Sequence, residues 1–418
     1  MTDPNDRALL HLRVAGMSLL GFLLMVSYAL ARPAAEALFL QAHGKNALPY
    51  VWLLVAGGSA LVVWIYNRLV TQTGLLALFA WTSLISAILF AALAGANHAE
   101  LPGARYALYV WKDLYIVVLF EIFYSYNNSV FPIQTARWVY GFFGILGAVG
   151  SATGSFFVGT TAKIWGSEMA LWLLVPLLGL LALVAYGLGR RAGICAPQAS
   201  KTSHGSLREG FAIVRESAYL LYVLALIGSV QIVITLIDFD FNALVSAAYA
   251  QVDAKTAVIG DIYAVISVAT IALHAVTGPT LRILGVPITL LSMPVLFAST
   301  ILAYGLWPRF SVGAAMKVAS KSFDYTLLRA AKEILYIPLS YRERTQGKAM
   351  VDMLTYRVAK GVASLLVLGL VYFQATALVR WLALAVTALW LVVTTIITRR
   401  FRQEISREDE LRARDAAR

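Results

Sequence analysis

The chain has 418 residues, of which 60% are hydrophobic and only 13% charged, against about 25% charged in an ordinary soluble domain. That much apolar surface cannot enter one globular core, so a soluble enzyme, a secreted disulfide scaffold and a disordered regulator are excluded. The formal charge of +12 would suggest nucleic acid in a soluble protein, but here the bases follow the loops, so the expected surroundings are a lipid bilayer and no nucleic acid.

A spanning helix takes about 20 residues. Apolar stretches of that order are predicted at 14–41, 48–67, 75–95, 104–130, 138–161, 169–189, 217–246, 256–276, 285–306, 310–337, 348–372 and 376–398. The first is too long for a signal-peptide core and has no small-residue cleavage site behind it, so it is expected to stay as span one. It carries Arg32 and Glu36, four residues apart and able to pair on one face. In span four, Asp113, Glu121, Tyr124 and Asn128 fall within roughly 80° of one another at about 100° per residue, while Lys112 points well away. Span five holds Gly141, Gly144, Gly147, Gly150 and Gly154, which suit close helix contacts.

The stretch 190–216 is rich in Gly, Pro, Ser and bases and ends in an amphipathic run from Leu207 to Val214, so it is predicted to be a linker. Beyond it, span seven contributes Asp238 and Asp240 on different sides. His274 of span eight is expected to be a satisfied polar residue. In span ten Lys317, Lys321, Asp324 and Lys332 share a sector, with Arg329 beyond its edge and Glu333 further round. In span eleven Asp352, Tyr356 and Lys360 align, with Arg357 off that face.

Bases concentrate in alternate loops. Arg7 and Arg13 precede span one, Arg68 follows span two, Arg137 follows span four, and Arg190, Arg191, Lys201, Arg208 and Arg215 lie in or around the linker. Arg342, Arg344 and Lys348 follow span ten, and 399–418 carries many more. The other loops hold few, such as Lys45, Arg105 and Lys163. This positive-inside pattern predicts both termini in the cytoplasm. The organisation expected is a six-helix half over 1–189, a cytoplasmic linker over 190–216, a second half over 217–398 and a charged tail over 399–418. Pro132 and Gly141 recur as Pro338 and Gly347, both 206 residues on, in agreement with such a split. The predicted fold class is an all-α membrane protein of major facilitator architecture, twelve helices in two pseudo-symmetric halves.

Charges inside spans are costly and mark candidate functional residues, with mutual pairing as the alternative. Spans ten and eleven hold Lys317, Lys321, Arg329, Lys332, Arg357 and Lys360 against Asp324, Glu333 and Asp352. Spans one, four and seven hold Glu36, Asp113, Glu121, Asp238 and Asp240 against Arg32 and Lys112. A basic wall suits an anionic small molecule, and lysine and arginine both bind phosphate. No GxxxxGK[ST] motif occurs, so transport driven by ATP hydrolysis is not expected. The lone Cys195 excludes an internal disulfide, the five His show no metal-ligand spacing, and no cofactor, metal or enzymatic reaction is expected.

Residues Lys321 to Leu339, KSFDYTLLRAAKEILYIPL, are followed by Gln346 to Asp352, QGKAMVD. This block resembles the ATP:ADP exchange (nucleotide transporter) family, which has a KE-x-x-YIPL segment before a G-K-A-x-x-D start to helix eleven. Arg32-Pro33 with Glu36 is similar to the family's first-helix motif, and Tyr126-Asn127 through Arg137 to Tyr140-Gly141 and Gly144 to its helix four-to-five junction. The chain departs from the family's pattern at Ala35, where the family places a lysine, and at Asn242, four residues after Asp238, where it places another. Gln134 or Thr135 stands where an acid is expected. The resemblance implies a secondary carrier of the free-living bacterial branch, a monomer in the inner membrane, exchanging nucleotides or a related phosphorylated anion. Lys321, Lys332 and Lys360, with Lys317, Arg329, Tyr124 and Asn128, are the candidate substrate contacts. Arg32, Glu36, Asp113, Glu121, Asp238, Asp324 and Asp352 are the candidate gating or ion-coupling residues. Proton-coupled movement of another organic anion, and a non-transporting membrane sensor or subunit, are the alternatives.

Overall fold

The computed structural model describes residues 4–416 except 71, 132, 192–206 and 341. Pro132, Cys195, Lys201 and most of the expected linker lie outside the described residues, as do the side chains of Arg7, Gln134, Arg137, Tyr356, Arg357 and the tail beyond residue 403.

The described residues are almost all helical. Before the linker come α1 (Pro4–His43), α2 (Leu48–Leu69), α3 (Leu75–His98), α4 (Ala104–Val130), α5 (Ile133–Trp165) and α6 (Ser167–Arg191). After it come α7 (Leu207–Glu216), α8 (Ala218–Ala248), α9 (Val252–Leu306), α10 (Phe310–Phe323), α11 (Arg329–Leu335), α12 (Lys348–Tyr372) and α13 (Val379–Ala416). A π-turn, Asp324–Leu328, joins α10 to α11, and another, Glu343–Gly347, leads into α12. Among the described residues eight helices are long and apolar enough to cross a membrane. One of these is α9, whose 55 residues are broken at Gly285 by a φ of 73°; glycine adopts that left-handed conformation without a steric penalty. The break falls where the sequence places the turn between spans eight and nine. By composition alone α4, α10 with α11, and α12 are not among the eight, and these are helices that carry the expected intramembrane charges. The expected twelve spans are therefore not all recovered by that measure.

Two compact units form: Met1–Lys201 with Val245–Ile271, and Thr202–Leu244 with Ala272–Arg418. In lipid the hydrophobic effect no longer drives helix against helix, so close packing and polar contacts must. In the first unit α1 packs heavily on α5, where a Cβ added at Gly150 would sit 2.5 Å from the Phe22 carbonyl oxygen and one at Gly154 2.7 Å from that of Val26. The expected role of these glycines is thus realised at two positions, whereas Gly141 and Gly144 face open space. The early part of α9 is stitched to this unit by polar contacts. Asp253 accepts from the Ser167 amide at 2.7 Å and hydroxyl at 2.6 Å, capping α6 just after Gly166 turns the chain. Lys163 pairs with Asp261 at 3.1 Å, and Lys255 donates to Gln41 at 2.6 Å.

In the second unit the buried Phe239, Phe241, Phe297 and Trp390 form the apolar interior, the last two edge to face at 5.2 Å. The amphipathic run forms α7, which turns its buried Ile213 and Val214 inward; Ile213 and Leu220 lie against Gly347.

Candidate functional site

The intramembrane charges of each unit gather into a cluster. In the first unit, α1 contributes Arg32 and Glu36, which pair at 3.2 Å as the four-residue spacing predicts. Lys112 of α4 joins them, its Nζ 3.0 Å from Asp113 and 3.7 Å from Glu36, with only 1% of its side chain exposed. The sequence sets Lys112 apart from Asp113 on helical angle. The structure corrects this: the long lysine stem sweeps round α4 and brings the ammonium to the acidic side. Tyr28 donates to Asp113 at 3.4 Å, the Lys112 ammonium lies 3.8 Å from the Tyr109 ring centre, and the Arg32 guanidinium lies 4.1 Å from that of Tyr263. Two bases and two acids thus balance in a largely buried network, satisfying the rule that buried charge needs a partner.

The rest of the α4 sector is different. Glu121, Tyr124 and Asn128 are exposed; Tyr124 stacks on Phe120, and Asn128 accepts a hydrogen bond from Tyr140 at 2.5 Å. Asp113, by contrast, is drawn into the charge cluster.

In the second unit one carboxylate serves two bases. Asp238 of α8 lies 2.5 Å from Lys317 and 3.1 Å from Lys321, which are one turn apart on α10. Lys317 is as buried as Lys112, and its ammonium also faces the Phe241 ring at 5.2 Å. Further along, Lys332 pairs with Asp352 of α12 at 3.0 Å and approaches Glu333 at 3.9 Å, while Lys348 pairs with Glu333. Lys360 is half-buried on α12. The π-turn faces a pocket in which Asp324, Arg329 and Lys332 stand opposite Leu226, Val230 and Gln231 of α8. The sequence marks the three charged residues and misses Gln231, although a lone amide in an otherwise apolar stretch of α8 is visible there.

The two positions where the sequence lacks an expected lysine are filled without charge. Ala35 is fully buried, and Asn242, also buried, donates its amide to the Asp238 carbonyl at 2.8 Å. One capping pattern was overlooked in the sequence. Ser340 and Glu343 form a reciprocal box, Ser340 giving its amide at 3.2 Å and hydroxyl at 2.7 Å to the Glu343 carboxylate, and the Glu343 amide returning to Ser340 at 3.4 Å. The S-x-x-E spacing was legible in the sequence.

Comparison with known proteins follows the same lines. The family model described as TLC ATP/ADP transporter matches residues 194–307 and 296–401. ADP,ATP carrier protein 1 of Chlamydia pneumoniae is 24% identical over 74% of this chain and 70% of its own length, and that of Chlamydia muridarum is 24% identical over 97% and 92%. Among solved structures, the POT family transporter PepTSo superposes with a TM-score of 0.68 at 12% identity, covering 93% of this chain and 98% of that one. The nucleoside transporter NupG gives 0.62 at 14%, over 94% and 98%. The likenesses to solved structures show the fold, an all-helical architecture shared with those two proteins.

Proposed function

Because the chain belongs to the TLC ATP/ADP transporter family, we propose that it is a secondary carrier exchanging nucleotides, or a closely related phosphorylated anion, across the bacterial inner membrane. The observation that carries this reading is the set of lysines in the second unit, Lys317, Lys321 and Lys332, each held by a carboxylate. A buried lysine with no counter-ion would be costly, so the resting site keeps its bases in ion pairs. An arriving phosphate offers the same lysines a stronger acceptor with more oxygens, and Asp238 and Asp352 are released as it binds. The lysines thus keep an acidic partner whether or not substrate is bound, which suits the swapping of one anion for the next.

On this reading Lys321, Lys332 and Lys360, with Lys317 and Arg329, hold phosphate, and Tyr124 and Asn128 contact the substrate from α4. Asp238, Asp324 and Asp352 act as internal competitors, and the network of Arg32, Glu36 and Asp113, with Glu121 about two turns further along α4, sets the gate. Two six-helix halves alternate access, both termini face the cytoplasm, and a monomer suffices. Uptake of labelled ATP and ADP by bacterial cells expressing the chain tests the substrate. Saturable uptake is expected, competed by unlabelled ADP, indifferent to a protonophore and weakened in affinity by Lys332→Gln. No saturable uptake of either nucleotide would favour another anion as substrate, and nucleotide uptake abolished by the protonophore would overturn exchange in favour of proton coupling.

A further inference from the structure

The polar groups of the second unit differ in one respect. Lys317, Lys321 and Lys332 are all in ion pairs, but Arg329, one residue past the π-turn, takes part in none among the described residues. Gln231 is half-buried in α8, and its side-chain amide makes no hydrogen bond among the described residues. Both residues line one partly open pocket between α8 and the π-turn.

The remaining walls sort by chemistry. Leu226, Ile227 and Val230 on α8 and Leu328 on the π-turn make one side apolar, and Tyr325 offers a ring that is 38% exposed. Arg329 and Lys332 bring positive charge to the other side, with Asp324 beside them. A phosphate alone needs none of the apolar wall, and a simple organic acid has no ring to lay against Tyr325. A π-turn in a helix interior gives up regular hydrogen bonding and is met most often at functional positions.

We propose that this pocket receives the base of a nucleotide, with Gln231 reading the base edge, Tyr325 stacking on its face and Arg329 holding the adjoining phosphate. The assignment rests on the nucleotide reading above and adds to it the residues that distinguish one base from another. A glutamine amide presents a donor and an acceptor side by side, the pattern that complements the amino and ring-nitrogen edge of adenine. Tyrosine stacking tolerates any base, so selectivity falls to Gln231. Arg329 binds phosphate as a planar fork and needs no existing ion pair to open first. Asp324 supplies an acceptor for a sugar hydroxyl.

The test measures equilibrium binding of ADP, IDP and inorganic pyrophosphate to the purified full-length protein in lipid nanodiscs. On the N6 and N7 edge adenine offers a donor and an acceptor, where the base of IDP offers two acceptors. Wild type should bind ADP about tenfold or more tightly than pyrophosphate, and ADP more tightly than IDP. Gln231→Leu should weaken ADP about tenfold, remove the preference over IDP and leave pyrophosphate unchanged. Tyr325→Ala should weaken both nucleotides, and Arg329→Gln all three ligands. A thermal melt of each variant, within a few degrees of wild type, shows that the fold is kept. If wild type binds ADP no better than pyrophosphate, or if Gln231→Leu leaves the ADP to IDP ratio unchanged, the base pocket is overturned while the phosphate site stands. If wild type binds none of the three, the nucleotide reading itself fails and the pocket assignment with it.

Discussion

Asp238 pairs with two lysines at once, so its removal takes an ion-pair partner from both. Lys317 is 1% exposed and Asp238 19%, and breaking a buried pair by deleting one partner costs about 3–5 kcal/mol. D238N should therefore lower the melting temperature by several degrees. Because phosphate takes the place of the missing carboxylate, added ADP should raise the variant's melting temperature by more than it raises that of wild type. An unchanged melting temperature would show that the two lysines do not depend on Asp238 for their charge. The position itself has a counterpart: Asp238 lies 206 residues after Arg32, the same offset that relates Gly141 to Gly347. The first helix of each expected half thus carries a charge at the same sequence offset, with opposite sign. Sequence spacing was enough to pair Arg32 with Glu36, since four residues make one helical turn. It misplaced Lys112, because helical angle locates a Cβ and a lysine ammonium lies several bonds beyond it.

At the scale of single elements, the two π-turns matter most. The first puts the residues around Asp324 and Arg329 against the pocket, and the second opens α12 behind the Ser340–Glu343 box. Neither was visible in the sequence, since a π-turn needs no particular residue and arises from packing on both sides of the helix. Glu343 offers a pH test outside the membrane-spanning helices. Burial alone would raise its pKa, but hydrogen bonds from the Ser217 and Ser340 side chains and the Ser340 amide outweigh this and hold it below the ordinary value. A carboxylate lowered in this way stabilises the fold fully above its unfolded pKa of about 4.3, and the contribution fades as pH falls through the folded value. Wild type should accordingly lose thermal stability below about pH 4.3 more steeply than E343Q. At neutral pH, Ser340→Ala should cost about 1 kcal/mol through the lost cap. Parallel melting curves for wild type and E343Q across that range would remove Glu343 from this role.

Over the whole molecule, the apolar segments were legible in the sequence because a bilayer demands long runs of hydrophobic side chains, and the helix boundaries fall close to those runs. The division at α9 was legible only in part. Gly285 is a glycine among many, and nothing in the sequence singles out its left-handed backbone. The gathering of charges into two clusters was anticipated in kind, since intramembrane charge must find partners, but the particular partners depend on which helices pack together. That pairing is what gives the transport reading its mechanism: the bases are stored against acids that a phosphate can replace.

Exchange is the central claim, and counterflow in proteoliposomes tests it most directly. Vesicles containing the purified chain would be loaded with ADP or left empty, and labelled ATP added outside with a protonophore present. The account predicts rapid uptake into loaded vesicles and almost none into empty ones, at a rate independent of any imposed pH gradient. Equal uptake into empty vesicles, driven by a pH gradient and collapsed by the protonophore, would contradict it.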